Sequence, residues 1–189
     1  MTQKQVKYIL KQSDFGHFLA GLIDADGYFR RGELAITLDK YDLSMGLALK
    51  SLFGGRCRFY KKRRAFNYEL NTRAGLLRVA ELTKDKFRLS KRLAQFNSDF
   101  RMGLNFPASA LDLSPLANNA WLAGFSFGDG SLQIKLSIRR TLRNAPVRTQ
   151  LMLQFSCEPS CEQLLNLVLV LEEAPTKEQC KRKLQFRWF

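Results

Sequence analysis

The chain has 189 residues, of which 31 are Lys or Arg and 17 are Asp or Glu, giving a formal net charge of +14. The hydrophobic fraction of 46% is enough for a packed core. No apolar run approaches the roughly 20 residues of a membrane span, and the basic segment at residues 1–13 lacks the apolar core of a signal peptide. Charge of this sign predicts a nucleic-acid partner, with an anionic membrane surface as the weaker alternative.

Cysteine spacing gives little support for a structural metal site. The 4 cysteines include Cys157 and Cys161, but the chain has 1 histidine and no other Cys or His at zinc-site spacing. We therefore interpret the cysteines as thiols in a reducing compartment.

The hydrophobic pattern of the first half changes between helical and strand periods. Asp14 stands where a helix N-cap is expected, and Phe15, Phe18 and Leu22 recur at helical spacing before Gly27. Elsewhere apolar and polar residues alternate, which is typical of strands. The predicted elements are a helix over 14–27, a strand region over 28–40 with a turn at 30–32, a helix over 43–53, strands over 56–62 and 65–72 joined by a basic tip at 61–64, and helices over about 73–83 and 88–102.

A similar order of elements begins again in the second half. Residues 103–117 contain Gly103, Pro107 and Pro115 without a clear period, and we interpret them as a linker. The predicted elements after it are a helix over about 118–129, strands over 131–139 and 147–155 joined by a basic loop at 140–146, a helix over about 159–172, a weak strand near 176–180 and a last strand over 181–189. The predicted organisation is a basic N-terminal segment (1–13), a first repeat (14–102), the linker (103–117) and a second repeat (118–189).

Each half contains one copy of a short motif. Residues Leu19–Gly27 read LAGLIDADG and residues Leu122–Gly130 read LAGFSFGDG, so that Asp26 corresponds to Asp129. The sequence resembles the LAGLIDADG homing endonuclease family, because the first copy matches the name motif at every position and the second matches it in pattern. The order of elements and the positive charge agree with the family over nearly the whole chain.

The resemblance implies an α+β fold: a pseudo-two-fold αββαββα(α) saddle with two antiparallel sheets flanking a central pair of motif helices. Ala20, Gly21, Ala123 and Gly124 are the expected interface of the helix pair, since small residues let two backbones approach closely. The second repeat is expected to lack its closing helices, which would leave an apolar sheet face for a protein or RNA neighbour. The expected state is a monomer with internal symmetry and no membrane partner.

The resemblance also implies a metal-dependent site at the ends of the motif helices. Asp26 and Asp129 are the expected catalytic and metal-binding acids, with Ala25 and Gly128 beside them in the metal site. Two carboxylates at helix C-termini oppose the helix macrodipole and repel each other. A divalent cation such as Mg²⁺ would offset both effects and would support phosphodiester cleavage, whereas an inactive protein would need no cofactor.

Basic residues beside the acids are also expected from the family. Lys40 and Lys91 are the candidates in the first repeat, with Arg88 as an alternative to Lys91. Cys157 stands near the position that corresponds to Lys40, and cysteine is a poor substitute for a base there. Phe127 stands in the second motif at the position that corresponds to Asp24 in the first, and this loss of an acid indicates drift in the second motif.

The polar faces of the predicted strands are rich in Arg, Lys, Gln and Asn, which bind base edges and phosphates. Family saddles contact DNA with this side of their sheets. The candidate nucleic-acid-binding residues are Arg56, Arg58, Lys61, Lys62, Arg63, Arg64, Asn67, Asn71, Gln133, Lys135, Arg139, Arg140, Arg143, Arg148, Gln150, Gln154, Lys183, Gln185 and Arg187.

Two functional hypotheses follow. In the first, the chain is a site-specific endonuclease that cuts both strands of a long DNA site with Mg²⁺. In the second, it is a lapsed endonuclease that binds structured RNA, as an intron maturase or as a component of a ribonucleoprotein such as an organelle ribosome. Asp26 and Asp129 favour the first, whereas the short second repeat, Phe127 and Cys157 favour the second. A mitochondrion or other organelle is the location expected from the family.

Overall fold

The computed structural model describes residues 14–30, 32–60, 64–137 and 148–155, and only the backbone in the two strands over 131–137 and 148–155. Contacts divide the chain into two compact units, residues 1–128 and 129–189. The predicted helix at 159–172 and the predicted last strand at 181–189 lie outside the described residues. The repeat and linker boundaries remain predictions.

The first unit contains a four-stranded antiparallel sheet whose order is β1-β2-β4-β3. Its elements are α1 (Phe15–Asp26), β1 (Gly27–Arg30), β2 (Glu33–Asp39), a 3-10 turn (Lys40–Asp42), α2 (Leu43–Phe53), β3 (Arg56–Phe59), β4 (Ala65–Leu70), α3 (Arg73–Thr83), α4 (Ser90–Gln95), a π-helical segment (Phe96–Phe100) and α5 (Arg101–Leu104). A second 3-10 turn (Leu116–Asn118) precedes α6 (Trp121–Asp129). The helices and strands predicted from sequence for this half are confirmed with small shifts at their ends, except that the single helix predicted over 88–102 is divided into α4, the π-helical segment and α5, with a kink at Ser98.

The motif helix α1 is buried on nearly all sides. Phe18, Leu19, Leu22 and Ile23 are all in the core. A helix that is apolar around its whole circumference must be surrounded by protein, so α1 is the central element of the first unit. Its last backbone bond, from the Gly27 amide to the Ile23 carbonyl, leads directly into β1.

One face of the four-stranded sheet is apolar and the other is polar. Phe66, Tyr68 and Leu70 of β4 are buried in the core, as their alternation predicts. A cluster of phenylalanines extends this core towards the last helices: the Phe29 ring lies 4.3 Å from that of Phe100, centroid to centroid. The polar face is thus formed by the intervening residues of the same strands.

The described part of the second unit forms a two-stranded antiparallel ribbon of β5 (Gly130–Ser137) and β6 (Arg148–Phe155). Both strands were predicted, and the register pairs Lys135 with Gln150 and Ser137 with Arg148. Directly paired residues share a face of an antiparallel ribbon. The predicted grouping of polar positions on one face is therefore confirmed for these strands.

The segment predicted as a linker lies within the first unit and is hydrogen-bonded to other residues of that unit. The amide of Ser109 donates to Asn97 Oδ1, and Asn97 Nδ2 donates to the Ser109 carbonyl, each at 2.8 Å. The Arg88 guanidinium binds Asp112 at 2.9 Å and the Ser114 carbonyl at 2.6 Å. These bonds explain how a stretch without a hydrophobic period is nevertheless ordered.

Candidate nucleic-acid and metal site

Glycines form the contact between the two motif helices within the first unit. A methyl group at Gly124 would overlap the carbonyl of Phe18, and one at Gly21 would overlap the carbonyl of Trp121. A Cβ at Gly128 would lie 2.6 Å from the Cβ of Ala25. The helix backbones therefore approach so closely that these positions exclude any larger side chain.

This contact corrects the predicted interface in two respects. Ala20 is buried and Gly21 and Gly124 face the partner helix, but Ala123 is exposed. Neighbouring residues of an α-helix point about 100° apart, so Ala123 cannot share the face of Gly124. Gly128, which lies one helical turn after Gly124, takes its place in the interface.

Asp26 and Asp129 each end a motif helix and are half-buried. A Cβ at Gly128 would lie 2.8 Å from Asp26 Oδ2, so within the first unit α6 passes directly beside the first acid. Ala25 and Gly128 therefore adjoin Asp26. Among the described residues no group of three or more His, Cys, Asp or Glu side chains is arranged to hold a metal ion.

Asp24 is the most deeply buried acid beside this site, and its carboxylate joins three segments. Its Oδ2 accepts the Trp121 indole N–H at 2.8 Å and the Arg88 amide at 2.9 Å. Its Oδ1 has no hydrogen-bond partner among the described residues. Burial raises its pKa from the ordinary 3.8 to about 7, although the bonds from Arg88 and Trp121 and the charge of Arg92 act in the opposite direction.

The predicted basic residues have different positions relative to Asp26. Gly27 pairs with Ile36, and Lys40 lies four residues further along the chain, in the 3-10 turn that follows β2. The Lys40 side chain is exposed, with its Nζ 4.7 Å from the centre of the Tyr41 ring. A catalytic role for Lys40 remains a prediction.

The helix that carries Lys91 is anchored next to the first motif. Lys91 is exposed, but the following residue, Arg92, donates to the Asp24 carbonyl at 3.4 Å and to Gln95 Oε1 at 2.7 Å. Arg92 is therefore a basic residue near the motif that the sequence analysis missed, although its position beside Lys91 in the same predicted helix was an available signal. Arg88, the alternative candidate, is buried and binds Asp112 and Ser114 instead.

The polar face of the first sheet contains several of the candidate nucleic-acid-binding residues. Arg56 and Arg58 of the edge strand β3 are exposed and pair in register with Glu69 and Asn67 of β4. Asn67 is buried, and both ends of its side-chain amide have partners. The amide nitrogen donates to the Tyr60 hydroxyl at 3.0 Å, and Oδ1 accepts from Thr37 at 3.2 Å.

The other candidates divide between described and undescribed parts of the chain. Arg64 and Asn71 are exposed at the two ends of β4. In the second unit, Gln133, Lys135, Arg148, Gln150 and Gln154 occupy register positions on one face of the β5–β6 ribbon. The candidates Lys61, Lys62, Arg63, Arg139, Arg140, Arg143, Lys183, Gln185 and Arg187 lie outside the described residues.

Comparison with solved structures identifies the fold. The chain aligns with the I-SmaMI LAGLIDADG homing endonuclease bound to cleaved DNA with a TM-score of 0.56 and 19% identity, over 89% of this chain and 74% of that one. For the LAGLIDADG meganuclease I-AabMI bound to uncleaved DNA, the TM-score is 0.57 and the identity 15%, over 89% and 75% of the two chains. The chain has the fold of the LAGLIDADG homing endonucleases.

Curated relatives are intron proteins of fungi. An uncharacterised cox1 intron-2 protein of Schizosaccharomyces pombe is 31% identical over 171 residues, 82% of this chain and 49% of that protein. The intron-encoded RNA maturase bI4 of Saccharomyces cerevisiae is 31% identical over 138 residues, 68% of this chain and 21% of that protein. The chain thus spans about half the length, or less, of these relatives. No protein-family model matches it.

No helix among the described residues is both long and apolar enough to cross a membrane. On the polar face of the first sheet, the guanidinium groups of Arg56 and Arg58 are exposed. These are the side-chain types that bind phosphates and guanine edges.

Proposed function

We propose that the chain binds duplex DNA with the polar faces of its sheets and cuts both strands at a specific site, using Asp26 and Asp129. The observation that carries the proposal is the intact contact between the motif helices, in which Gly21, Gly124 and Gly128 have no room for a side chain. A helix pair held this closely fixes the backbone at the end of α1, and therefore the position of the Asp26 carboxylate. The net charge of +14 supports a polyanionic substrate.

The two acids fit a magnesium-dependent reaction. Mg²⁺ is usually held in proteins by one or two carboxylates, with water and substrate phosphate completing its six ligands. Two aspartates are therefore a suitable donor set, and Asp26 and Asp129 would hold the ion. The ion supplies charge for the phosphodiester oxygens and a more acidic bound water. The protein's part is to place the two acids at helix ends and to hold the DNA backbone with its basic strands.

The test is cleavage of a plasmid that contains the junction into which the host intron inserts. We expect linear product with Mg²⁺, none with EDTA, and a loss of at least about 100-fold in rate for Asp26→Asn and for Asp129→Asn, since each substitution removes a charged ligand. Glu81→Gln removes a carboxylate from an exposed position of α3 and serves as the matched control. An unchanged rate in both aspartate variants would refute the catalytic assignment.

RNA binding is the second candidate function, because one relative is named an RNA maturase. Here the same basic faces would hold structured RNA, and the aspartates would have no role. Binding of the host intron RNA in competition with duplex DNA tests this proposal. Preference for the RNA, unchanged in Asp26→Asn, would favour the maturase function, whereas preference for the DNA junction would favour the endonuclease.

We also propose an organelle as the location of the chain. The relatives are intron proteins of yeasts, two named as intron-encoded. Detection of the chain in a purified mitochondrial fraction of the host would support this location, and its absence from that fraction would contradict it.

A further inference from the structure

A buried carboxylate holds the two exposed arginines of the edge strand. Arg56 directs both Nε and Nη2 to Glu69 Oε2, each at 2.8 Å. Arg58 Nη1 lies 3.6 Å from the other carboxylate oxygen, Oε1. The side chain of Glu69 is 8% exposed, whereas those of Arg56 and Arg58 are 65% and 61% exposed. The acid is thus buried, whereas the two guanidinium groups are exposed.

This arrangement orients Arg56 before any ligand binds. A free arginine side chain loses about 2 kcal/mol of rotamer entropy when it is immobilised, and the bonds to Glu69 supply part of that ordering in advance. A guanidinium has five N–H donors in a planar fork. Glu69 takes the N–H of Nε and one N–H of Nη2, so the other Nη2 hydrogen and the parallel hydrogen of Nη1, on the adjoining edge of the guanidinium, present two donors to a ligand.

The charge of Glu69 decides which ligand suits this edge. A phosphate bound by both arginines would also approach the carboxylate between them, and the repulsion would offset part of the attraction. The major-groove edge of guanine is uncharged and presents two acceptors, O6 and N7, at the spacing of an arginine fork. The acid therefore weakens phosphate binding at this position more than it weakens binding of a guanine.

We infer that Arg56, held by Glu69, is a specificity-determining residue that reads one guanine in the major groove of duplex DNA. The inference rests on the proposed function, because it requires the polar face of the first sheet to enter that groove. Glu69 is a positioning residue, since it acts through Arg56. A-form RNA has a major groove too narrow for this contact, so duplex DNA is the substrate class that the arginine–glutamate pair fits.

The experiment is selection of bound sequences from a library of random DNA duplexes, carried out with the unaltered chain and three variants. Arg56→Lys keeps the charge but removes the fork. Glu69→Gln removes the charge that orients Arg56. The matched control is Arg78→Lys, at an exposed arginine of α3 whose guanidinium lies 5.9 Å from the Phe53 ring. Thermal unfolding of each variant accompanies the selection and verifies that it is folded.

We expect the selected sequences to share a guanine whose preference falls by about 5- to 150-fold in Arg56→Lys, the range for loss of one bidentate base contact. Other positions should be unchanged. Glu69→Gln should weaken the same preference while binding unselected duplex at least as tightly, because a negative charge has been removed. Arg78→Lys should give the original sequences.

Three results would overturn the inference. Retention of the full guanine preference by a folded Arg56→Lys variant would contradict base reading. A uniform loss of affinity across all sequences would mean that Arg56 contacts phosphate. Failure of the unaltered chain to enrich any duplex, while it binds intron RNA, would remove the proposed DNA-binding function and the inference with it. The first two results leave the proposed function intact.

Discussion

The burial of Asp24 predicts an unusual dependence of stability on pH. The pKa of this carboxyl is about 7 in the folded chain, because burial disfavours the ionised form, against an ordinary value of 3.8. Between these values the folded state holds a proton that the unfolded state has released. The free energy of unfolding should therefore fall as pH rises through this window and level off above about pH 7.

Asp24→Asn measures the size of this effect. Asparagine has nearly the same shape, can accept the bonds from Trp121 and Arg88, and cannot ionise. From pH 5 to pH 7 each unit destabilises the unaltered chain by about 1.4 kcal/mol through this group, so two units amount to about 3 kcal/mol. Asp24→Asn does not lose stability in this way, because asparagine does not ionise. The free energy of unfolding of the variant, minus that of the unaltered chain, should therefore rise by about 3 kcal/mol between pH 5 and pH 8.

The assay is equilibrium unfolding in urea at pH 5, 6, 7 and 8, in the absence of nucleic acid. Glu81→Gln is the control for removing a carboxylate from an exposed position. Titrations of other groups cancel when each variant is compared with the unaltered chain at the same pH. If the difference for Asp24→Asn were the same at pH 5 and pH 8, Asp24 would be ionised throughout, and the reasoning from burial would be refuted.

Two packing predictions follow from the same core. Gly124→Ala should lower the free energy of unfolding by about 1–3 kcal/mol, because the added methyl group overlaps a carbonyl of α1. The control is Gly103→Ala, whose methyl group would have no atom nearer than 4.0 Å. This change should be neutral or stabilising by up to about 1 kcal/mol. Equal effects of the two changes in urea unfolding would contradict the close helix contact. Arg88→Met should destabilise by about 3–5 kcal/mol, because the buried Asp112 carboxylate loses its ion pair with the guanidinium. The control is Lys84→Met, which should change stability in thermal unfolding by less than about 1 kcal/mol, since the ion pair of Lys84 is exposed. An equally small effect of Arg88→Met would refute the structural role assigned to Arg88.

Local patterns in the sequence predicted the order of the elements and the faces of the strands. The motif at Leu19–Gly27 is specific enough to identify the fold. The alternation of Phe66, Tyr68 and Leu70 with polar residues assigned the core side of β4, since side chains of a strand alternate strictly between two faces. Such local periods are encoded within a few residues, and the sequence shows them directly.

Contacts between residues that are distant in sequence follow from the packing of the elements and could not be predicted from local patterns. Asp24 binds Trp121 and the amide of Arg88, which are 97 and 64 positions away in sequence. The motif resemblance placed Ala123 in the helix contact, but Gly128 lies there instead, because the face that contacts the partner depends on how the two helices cross.

Glu69 illustrates the same limit at the candidate site. Its place on the polar face follows from alternation, but its burial and its bonds to Arg56 depend on the pairing of β3 with β4. A period of two assigns a residue to a face without naming its neighbours. The register of the sheet supplies the neighbours, and with them the charge that decides which group Arg56 is suited to bind.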